Sequence, residues 1–593
     1  IRQTLDSFLS QKTDFPFEIL VHDDCSGDGT VEILEEYARR YPDVVCPVFE
    51  KENQYSKGVP INETFNFPRA RGKYIALCEG DDFWCDDGKL QAQADYMESH
   101  PDCTFCFTNG YIVEESKSFG PDWREHAREF VPYYESERPA YYGADHRYDL
   151  GEMAALSFVP TAGFFFPRAL WEQVSEAYTS AFPLVLTNAT KTMSTNTDGS
   201  VTGRAPVNQI NHAKKLADAS FRTVVTPNVD TLYSQAWLDI GAEPMVYVLP
   251  ETDRFCNVQL LDAWTNTAAV LDQAGAYVIA LPSWTGELPE NVTRVDVPTE
   301  TVWSIARVVL SGNEDLPNVY AIQDQMRLLP LSAYLAGGDY AAPAGTYTKE
   351  NDFVPVNKVL SMPPAEFFNA ANALMQANPP AEADAALLEK LAAIHVGPGM
   401  TFDASILGAD AAERWTQMLK GMRATLSAES AKYAQNLGQW IYFGRPIGDF
   451  GTAYTYRAMV ALVGLGANTV DVAIYPKTHT DAAGAALTGE KTYTIHFETL
   501  PPTLEGGFWS VTAYNEENFL IDNPIDRYCI NDRSAYRLNE DGTLDLVLSK
   551  EAPEDTSNWL PVSDEEFHLF MRIYLPDMNA LDAWQSPVIH IQE

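Results

Sequence analysis

Apolar and polar positions change rhythm several times along the 593-residue chain. Ile1 to Gln11 repeats its apolar residues at helical spacing, Phe17-Glu-Ile-Leu-Val21 is a short apolar run of strand character, and Thr30 to Tyr41 is helical again after a glycine-rich turn. Lys73-Tyr-Ile-Ala-Leu-Cys78 predicts a second strand that ends in acidic residues, and Gly88 to His100 predicts a further helix. Strands separated by helices at this interval predict a parallel, doubly wound sheet.

The pattern changes between Phe166 and Phe182. Beyond it, Arg222-Thr-Val-Val225, Met245-Val-Tyr-Val-Leu249 and Ala276-Tyr-Val-Ile-Ala280 predict strands with turn residues between them. A helical stretch is expected from Ala365 to Leu437, and its alanine-rich part from Pro379 to Ala393 opens on Pro-Pro and an acidic first turn that suit a helix N-terminus. Strands return at Val470 to Tyr475, Lys491 to Phe497, Phe508 to Tyr514 and Phe567 to Tyr574. Single cores stop growing at about 250 to 300 residues, so a chain of this length divides. The expected fold class is multidomain α/β plus β: a Rossmann-type α/β domain over residues 1–173, a β-rich domain over 177–312, a mainly helical connection over 313–465 and a β-sandwich-like domain over 466–593. The chain opens at Ile1 without a methionine, which predicts a fragment of a longer protein.

Composition narrows the partners. Hydrophobic residues at 46%, charged at 21% and aromatic at 12% describe a globular chain. The net charge of −42, from 83 acidic and 41 basic side chains, repels a phosphate backbone and an anionic membrane surface alike, so nucleic acid is not an expected partner. No stretch approaches the roughly 20 apolar residues of a transmembrane segment. An anionic substrate would need a divalent cation beside it on such a surface. Six of the eight cysteines lie before residue 107, and their scatter predicts reduced thiols; the Cys103-Thr-Phe-Cys106 spacing falls in an apolar strand-like run with no second ligand pair.

Two segments carry candidate chemistry. His22-Asp-Asp-Cys-Ser-Gly-Asp-Gly-Thr30 follows a strand and precedes a helix, which puts Asp23 and Asp24 where open parallel sheets receive ligands; the same residues also read as a capped helix start. Leu77-Cys-Glu-Gly-Asp-Asp-Phe-Trp84 crowds Glu79, Asp81 and Asp82 at the end of the next strand. Crowded carboxylates repel one another unless a cation sits among them, and hard divalent ions take oxygen ligands; the alternative is an exposed acidic turn.

Together with Ile1-Arg-Gln-Thr-Leu-Asp-Ser-Phe-Leu-Ser10, the stretch from Asn62 to Gly72, and Thr161-Ala-Gly-Phe-Phe-Phe-Pro-Arg168, these segments resemble glycosyltransferase family two, the inverting GT-A enzymes that use nucleotide-diphosphate sugars. The resemblance implies a GT-A domain with donor-binding residues Asp23, Asp24 and Asp81. Asp24 would contact the nucleotide base, and Asp81 and Asp82 would serve the ribose and a diphosphate-bound divalent metal, Mn or Mg. Glu79 would take the first acidic position of the metal motif. The expected partners are a nucleotide-diphosphate sugar and a glycan or lipid-type acceptor, and the expected compartment of this part is the cytoplasm. The resemblance also implies that the domain is cut short at both ends, so its catalytic base is unknown; Asp145, Asp149 and Glu152 lie in the right half without a distinguishing motif.

From about Ala177 onward the chain resembles the bacterial tandem of domains of unknown function numbered twelve-fifty-four and twelve-fourteen. The first is carried by Val225-Thr-Pro-Asn-Val-Asp-Thr-Leu-Tyr-Ser234 and Gln259-Leu-Leu-Asp-Ala-Trp-Thr-Asn266, the second by Phe508-Trp-Ser510, Asn523-Pro-Ile-Asp-Arg-Tyr528 and Arg572-Ile-Tyr-Leu-Pro576. Asn228, Asp230, Tyr233, Trp264 and Arg527 read either as a small-ligand pocket or as residues that fix turns and fill a core. His496, alternating with apolar neighbours, reads as a satisfied strand histidine, and Asp526 with Arg527 as an ion pair shaping a loop. The functional expectation is a glycosyltransferase-like protein fused to this module. The alternative is a non-catalytic ligand-binding or structural protein carrying a glycosyltransferase remnant.

Overall fold

The computed structural model describes residues 1–57, 59, 61–100, 106–108, 111–112, 128–129, 164–222, 225–407 and 411–592. They form two compact units, one of residues 1–178, 362–372 and 386–425, the other of 179–361, 373–385 and 426–593. The first is α/β and the second rich in sheet, so the chain is multidomain α/β plus β.

In the first unit the apolar stripes fold as their periods predict. The helix Arg2–Leu9 buries Leu5, the helix Thr30–Arg40 buries Leu34 and Tyr37, and both close on Ile19 and Val45 of two strands, Ile19–Asp23 and Val45–Phe49. Those strands pair in parallel, from Ile19 opposite Val45 to Asp23 opposite Phe49. Gly29 starts the second helix at φ +89°, a left-handed backbone that glycine adopts without strain. The helix Lys89–Ser99 packs Leu90, Ala94 and Met97 on Phe15, Phe17, Tyr74 and Trp84.

The doubly wound parallel sheet is only partly realised. Tyr74–Ala76 pairs antiparallel with Phe164–Pro167, which in turn pairs antiparallel with Cys106–Phe107. Among the described residues no ladder joins this three-stranded sheet to the parallel pair. Local strand and helix spacing signals which strands follow one another; it cannot signal that a strand some ninety residues later takes the neighbouring place. The change of character expected between Phe166 and Phe182 falls from the end of the strand Phe164–Pro167 into the helix Arg168–Ser194, within which the two units divide at Tyr178 and Thr179.

In the second unit, five strands order as Thr267–Leu271, Cys256–Leu261, Thr301–Val309, Thr231–Asp239 and Asn211–His212. A four-stranded sheet, Val292–Asp296, Gly275–Ala280, Met245–Leu249 and Arg327–Pro330, shares an apolar core with it through Leu232, Val258, Val308, Met245, Tyr247 and Ile279. Residues 434–591 repeat this arrangement. The long strands Thr503–Asn515 and Phe567–Pro576 lie in one sheet, Tyr493–Phe497 and Leu544–Ser549 in another, and Val511, Leu569, Ile495 and Leu546 meet in one core.

Three expected elements differ. Arg222 and Val225 lie outside any strand, and residues 223–224 lie outside the described set; the loop that follows is held by side chains instead of a ladder, Arg572 Nη2 donating to Thr226 O at 3.1 Å and Tyr514 Oη to Pro227 O at 2.7 Å. The alanine-rich helix is shortened to Ala385–Ala392, because Asp384, a turn inside the expected start, accepts the Ala381 N–H at 3.1 Å. Of Val470 to Tyr475 only Ala473–Ile474 pairs, against Phe567–Pro576. The seven cysteines among the described residues are free thiols.

Asp230 is fully buried and accepts from Ser510 Oγ at 2.5 Å, Arg533 Nη2 at 3.0 Å and Asn531 Nδ2 at 3.1 Å. Asp230→Ala leaves the Ser510 and Asn531 donors and one side of the Arg533 guanidinium, whose other side pairs with Asp532, without their shared acceptor, and is expected to lose about 3 kcal/mol in urea unfolding. Burial lowers the His568 imidazole to about 4, beneath the ~6.5 of an unfolded histidine. The unfolded chain therefore binds the extra proton first, and the stability held above pH ~6.5 is lost as pH falls toward 4. In thermal melts across that window, His568→Gln should show a shallower acid-side decline than the parent chain.

Candidate functional site

The two acidic turns of the first unit line one cavity of about 970 Å³. Its walls include Val21, His22, Asp23 and Asp24 at the end of one strand and Ala76, Cys78, Glu79 and Gly80 at the end of the other. The first helix fixes the second turn. Thr4 Oγ1 donates to Gly80 O at 2.9 Å, Ser7 Oγ accepts the Trp84 N–H at 3.0 Å, and Phe8 packs on Trp84 with ring centroids 4.3 Å apart. Arg69 fixes the other side, donating to Val21 O at 3.0 Å and Cys46 O at 2.6 Å.

The paired aspartates divide their work. Both carboxylate oxygens of Asp24 are engaged by backbone amides, Gln54 N at 2.6 Å and Tyr55 N at 2.8 Å, so Asp24 shapes the loop beside the cavity. Asp23 is buried; its Oδ2 accepts the Ser26 N–H at 3.1 Å, while Oδ1 has no hydrogen-bond partner. Of the two aspartates, Asp23 is the one that keeps a carboxylate oxygen without a hydrogen bond. His22, whose side chain is 1% exposed, stacks on Phe65 at 4.4 Å and hydrogen-bonds through neither ring nitrogen. Sequence alone marked neither this histidine nor Arg69: a histidine beside paired aspartates and an arginine after a proline carry no spacing signal.

Glu79, Asp81 and Asp82 share one turn, closed by the Asp82 N–H to Glu79 O bond at 3.2 Å. Burial raises Glu79 above the usual carboxylate range, and the charges of Asp82 and Asp81 raise it further. Burial and the charge of Asp81 do the same to Asp82. Partial desolvation and like-charge crowding are the conditions under which carboxylate oxygens favour a divalent cation, so the donor chemistry fits. Among the described residues, no three His, Cys, Asp or Glu side chains are gathered closely enough to hold a metal ion as they stand. Glu79 lines the cavity; Asp81 and Asp82 are not among its lining residues. Asp145, Asp149 and Glu152 lie outside the described residues.

In the second unit the structure brings Asn228, Asp230 and Tyr233 together. Asn228 Oδ1 accepts the Asp230 N–H at 2.7 Å, and its Nδ2 donates to Tyr574 Oη at 2.8 Å and Tyr233 Oη at 3.2 Å. Trp264 stands apart, its indole N–H on Asn378 O at 3.2 Å and its ring 5.4 Å from the Arg457 guanidinium. Arg527 does not pair with Asp526. Its guanidinium donates to the carbonyls of Thr556 and Trp559, and Asp526 accepts from Tyr528 Oη at 3.1 Å; carbonyls of a neighbouring turn lie within the arginine's reach and need no countercharge. His496 is satisfied by Asp545 at 2.7 Å.

Comparison with known proteins follows this division. Residues 1–161 match Glycosyl transferase family 2, residues 207–330 match Protein of unknown function (DUF1254), and residues 472–578 match Protein of unknown function (DUF1214). Over 115 residues, 19% of this chain, it is 46% identical to an uncharacterized protein of Mycobacterium tuberculosis and covers 32% of that protein. It is 31% identical over 115 residues to the UDP-Glc:alpha-D-GlcNAc-diphosphoundecaprenol beta-1,3-glucosyltransferase WfaP of Escherichia coli, again 19% of this chain and 42% of that one. The chain thus spans about a third to under half of the length of these relatives. A crystal structure of a protein from Vibrio parahaemolyticus superposes with TM-score 0.53 at 24% identity, covering 71% of this chain and 99% of that one, which establishes a shared fold. The N-terminal part is glycosyltransferase-like. No helix among the described residues is long and apolar enough to cross a membrane.

Because Asp81 presses on both Glu79 and Asp82, Asp81→Asn relieves repulsion in the cation-free chain. Its melting temperature without divalent ions should rise by the equivalent of about 0.5 kcal/mol, the upper range of surface substitutions.

Proposed function

We propose that the first unit binds a nucleotide-diphosphate sugar through a divalent cation, Mn or Mg, as the donor half of an inverting glycosyltransferase. The observation that carries this reading is the single cavity lined at the ends of two strands by Asp23 and Asp24 on one side and Glu79 on the other. Asp23, with an unpartnered buried oxygen, is positioned to accept from the nucleoside. Asp24 holds the loop at Gln54 and Tyr55 against it. Glu79, Asp81 and Asp82 are the residues that would hold the cation, which supplies charge neutralisation for the leaving diphosphate. The protein's own part is to bind and orient the donor and keep the acidic turn fixed through Thr4 and Ser7. The acceptor is a glycan or a lipid-type hydroxyl, a class supported by the diphosphoundecaprenol-linked acceptor in the name of the Escherichia coli relative.

The test is thermal stabilisation of the whole chain by uridine diphosphate with manganese. At a hundredfold excess over Kd, binding to the native state alone stabilises by about 2.7 kcal/mol. The parent should gain that increment only when both components are present, and Asp82→Ala should lose it. Equal gains in parent and variant, or none in the parent, would overturn the reading.

A further inference from the structure

Arg307 lies in the middle of the strand Thr301–Val309 and is 4% exposed. Its Nε and Nη1 find no acceptor among the described residues. Its electrostatic neighbours are phenols, Tyr233, Tyr475 and Tyr574, with no carboxylate among its main interactions. A buried guanidinium without a countercharge costs several kcal/mol, and water satisfies N–H groups without neutralising the charge.

The phenols around it are donors as well. Asn228 Nδ2 gives to Tyr574 at 2.8 Å and shares its second hydrogen between Thr231 Oγ1 at 3.0 Å and Tyr233 Oη at 3.2 Å, Tyr233 also accepts from Arg307, and Asn468 Nδ2 gives to Tyr475 at 2.8 Å. A hydroxyl oxygen that accepts an amide N–H keeps its own hydrogen to donate. Among the described residues no hydrogen bond gives that hydrogen a protein acceptor at any of the three. The region therefore presents a positive charge and a ring of O–H and N–H donors. The other buried guanidinium nearby, Arg572, has Asp230 among its electrostatic partners, and Arg533 pairs with both Asp230 and Asp532, so the charge that meets no carboxylate is that of Arg307. In a chain of net charge −42, a buried surplus of positive charge runs against the average of the surface. Asn257, the cross-strand partner of Arg307, keeps its Oδ1 without a donor, a place for a hydroxyl beside an anionic group.

We propose that Arg307, with the hydroxyls of Tyr233, Tyr475 and Tyr574, binds the anionic group of a small hydroxylated ligand, a carboxylate or a phosphate. Tyr233 and Tyr475 are only half-buried and give the site its access to solvent. Both segments that match the families of unknown function build it, the first through Tyr233 and Arg307, the second through Tyr475 and Tyr574. This makes the second unit a small-molecule receiver independent of the donor cavity in the first.

The experiment is calorimetric titration of the whole chain with glycolate and, separately, inorganic phosphate. Saturable binding of either is expected and names the anion class. Arg307→Met should abolish it, and Tyr475→Phe, a milder change at a half-buried position, should raise Kd about tenfold, as for one lost hydrogen bond to a charged group. If neither anion binds the parent, or both variants bind as the parent does, the proposal fails. Should Arg307→Met not fold, the Tyr475→Phe comparison alone decides.

Discussion

Like charges held on one short turn must be separated, solvated or shared with a cation, and Glu79, Asp81 and Asp82 are held on such a turn. The first helix denies them free separation. Thr4 grips the Gly80 carbonyl, Ser7 takes the Trp84 amide, and Phe8 packs on the Trp84 ring. Burial then denies Glu79 and Asp82 full hydration, so both carboxyls rise above their ordinary range. The acidic turn and the Asp23 turn open on one cavity because Arg69 holds the first strand and the helix Arg2–Leu9 holds the acidic turn. The functional reading of the first unit follows from that constraint.

The second unit solves a different electrostatic problem. Its interior holds Arg307, Arg572 and Arg457, each nearly inaccessible, yet only some of them meet a carboxylate. Arg457 has Asp262 and Asp384 among its electrostatic partners, whereas Arg307 has phenols. The Asp230 cluster ties the loop before Thr231–Asp239 to Thr503–Asn515 and its neighbours, and so binds the two family segments to each other by hydrogen bonds as well as by apolar packing. Buried ion clusters add little net stability compared with apolar packing but tolerate no missing member. A unit built this way keeps its interior groups in fixed relative positions, which is what a receptor for a small anion requires.

Much of the fold was legible because it rests on local period. Leu5, Leu34 and Tyr37 are buried on the stripes that helical spacing marked, Met245–Leu249 forms as read, and the acidic turn stands at the end of the strand Tyr74–Ala76. What period could not show was which strand lies beside which: Phe164–Pro167 takes its place next to Tyr74–Ala76 from far along the chain. The change of character read between Phe166 and Phe182 falls where the two units divide, at Tyr178 and Thr179, but composition could not show that the division lies within the helix Arg168–Ser194. At the site, the sequence marked the paired aspartates and the acidic triplet but not their division of labour. That Asp24 spends both oxygens on Gln54 and Tyr55 while Asp23 keeps one free depends on how the loop returns, which no spacing records. Asn228, Asp230 and Tyr233, close in sequence, are also neighbours in the fold, whereas Trp264 and Arg527, named with them, make their contacts elsewhere, which no local spacing records.

The central claim, that one cavity unites a nucleoside contact at Asp23 with a cation at the acidic turn, is tested most directly by a crystal structure of the chain with uridine diphosphate and manganese, using anomalous scattering at the manganese edge. The account requires a manganese peak within coordination distance of carboxylate oxygens of the Glu79 to Asp82 turn, and the nucleoside within hydrogen-bond distance of Asp23 Oδ1. Nucleotide bound elsewhere, or manganese bound away from that turn, would contradict it.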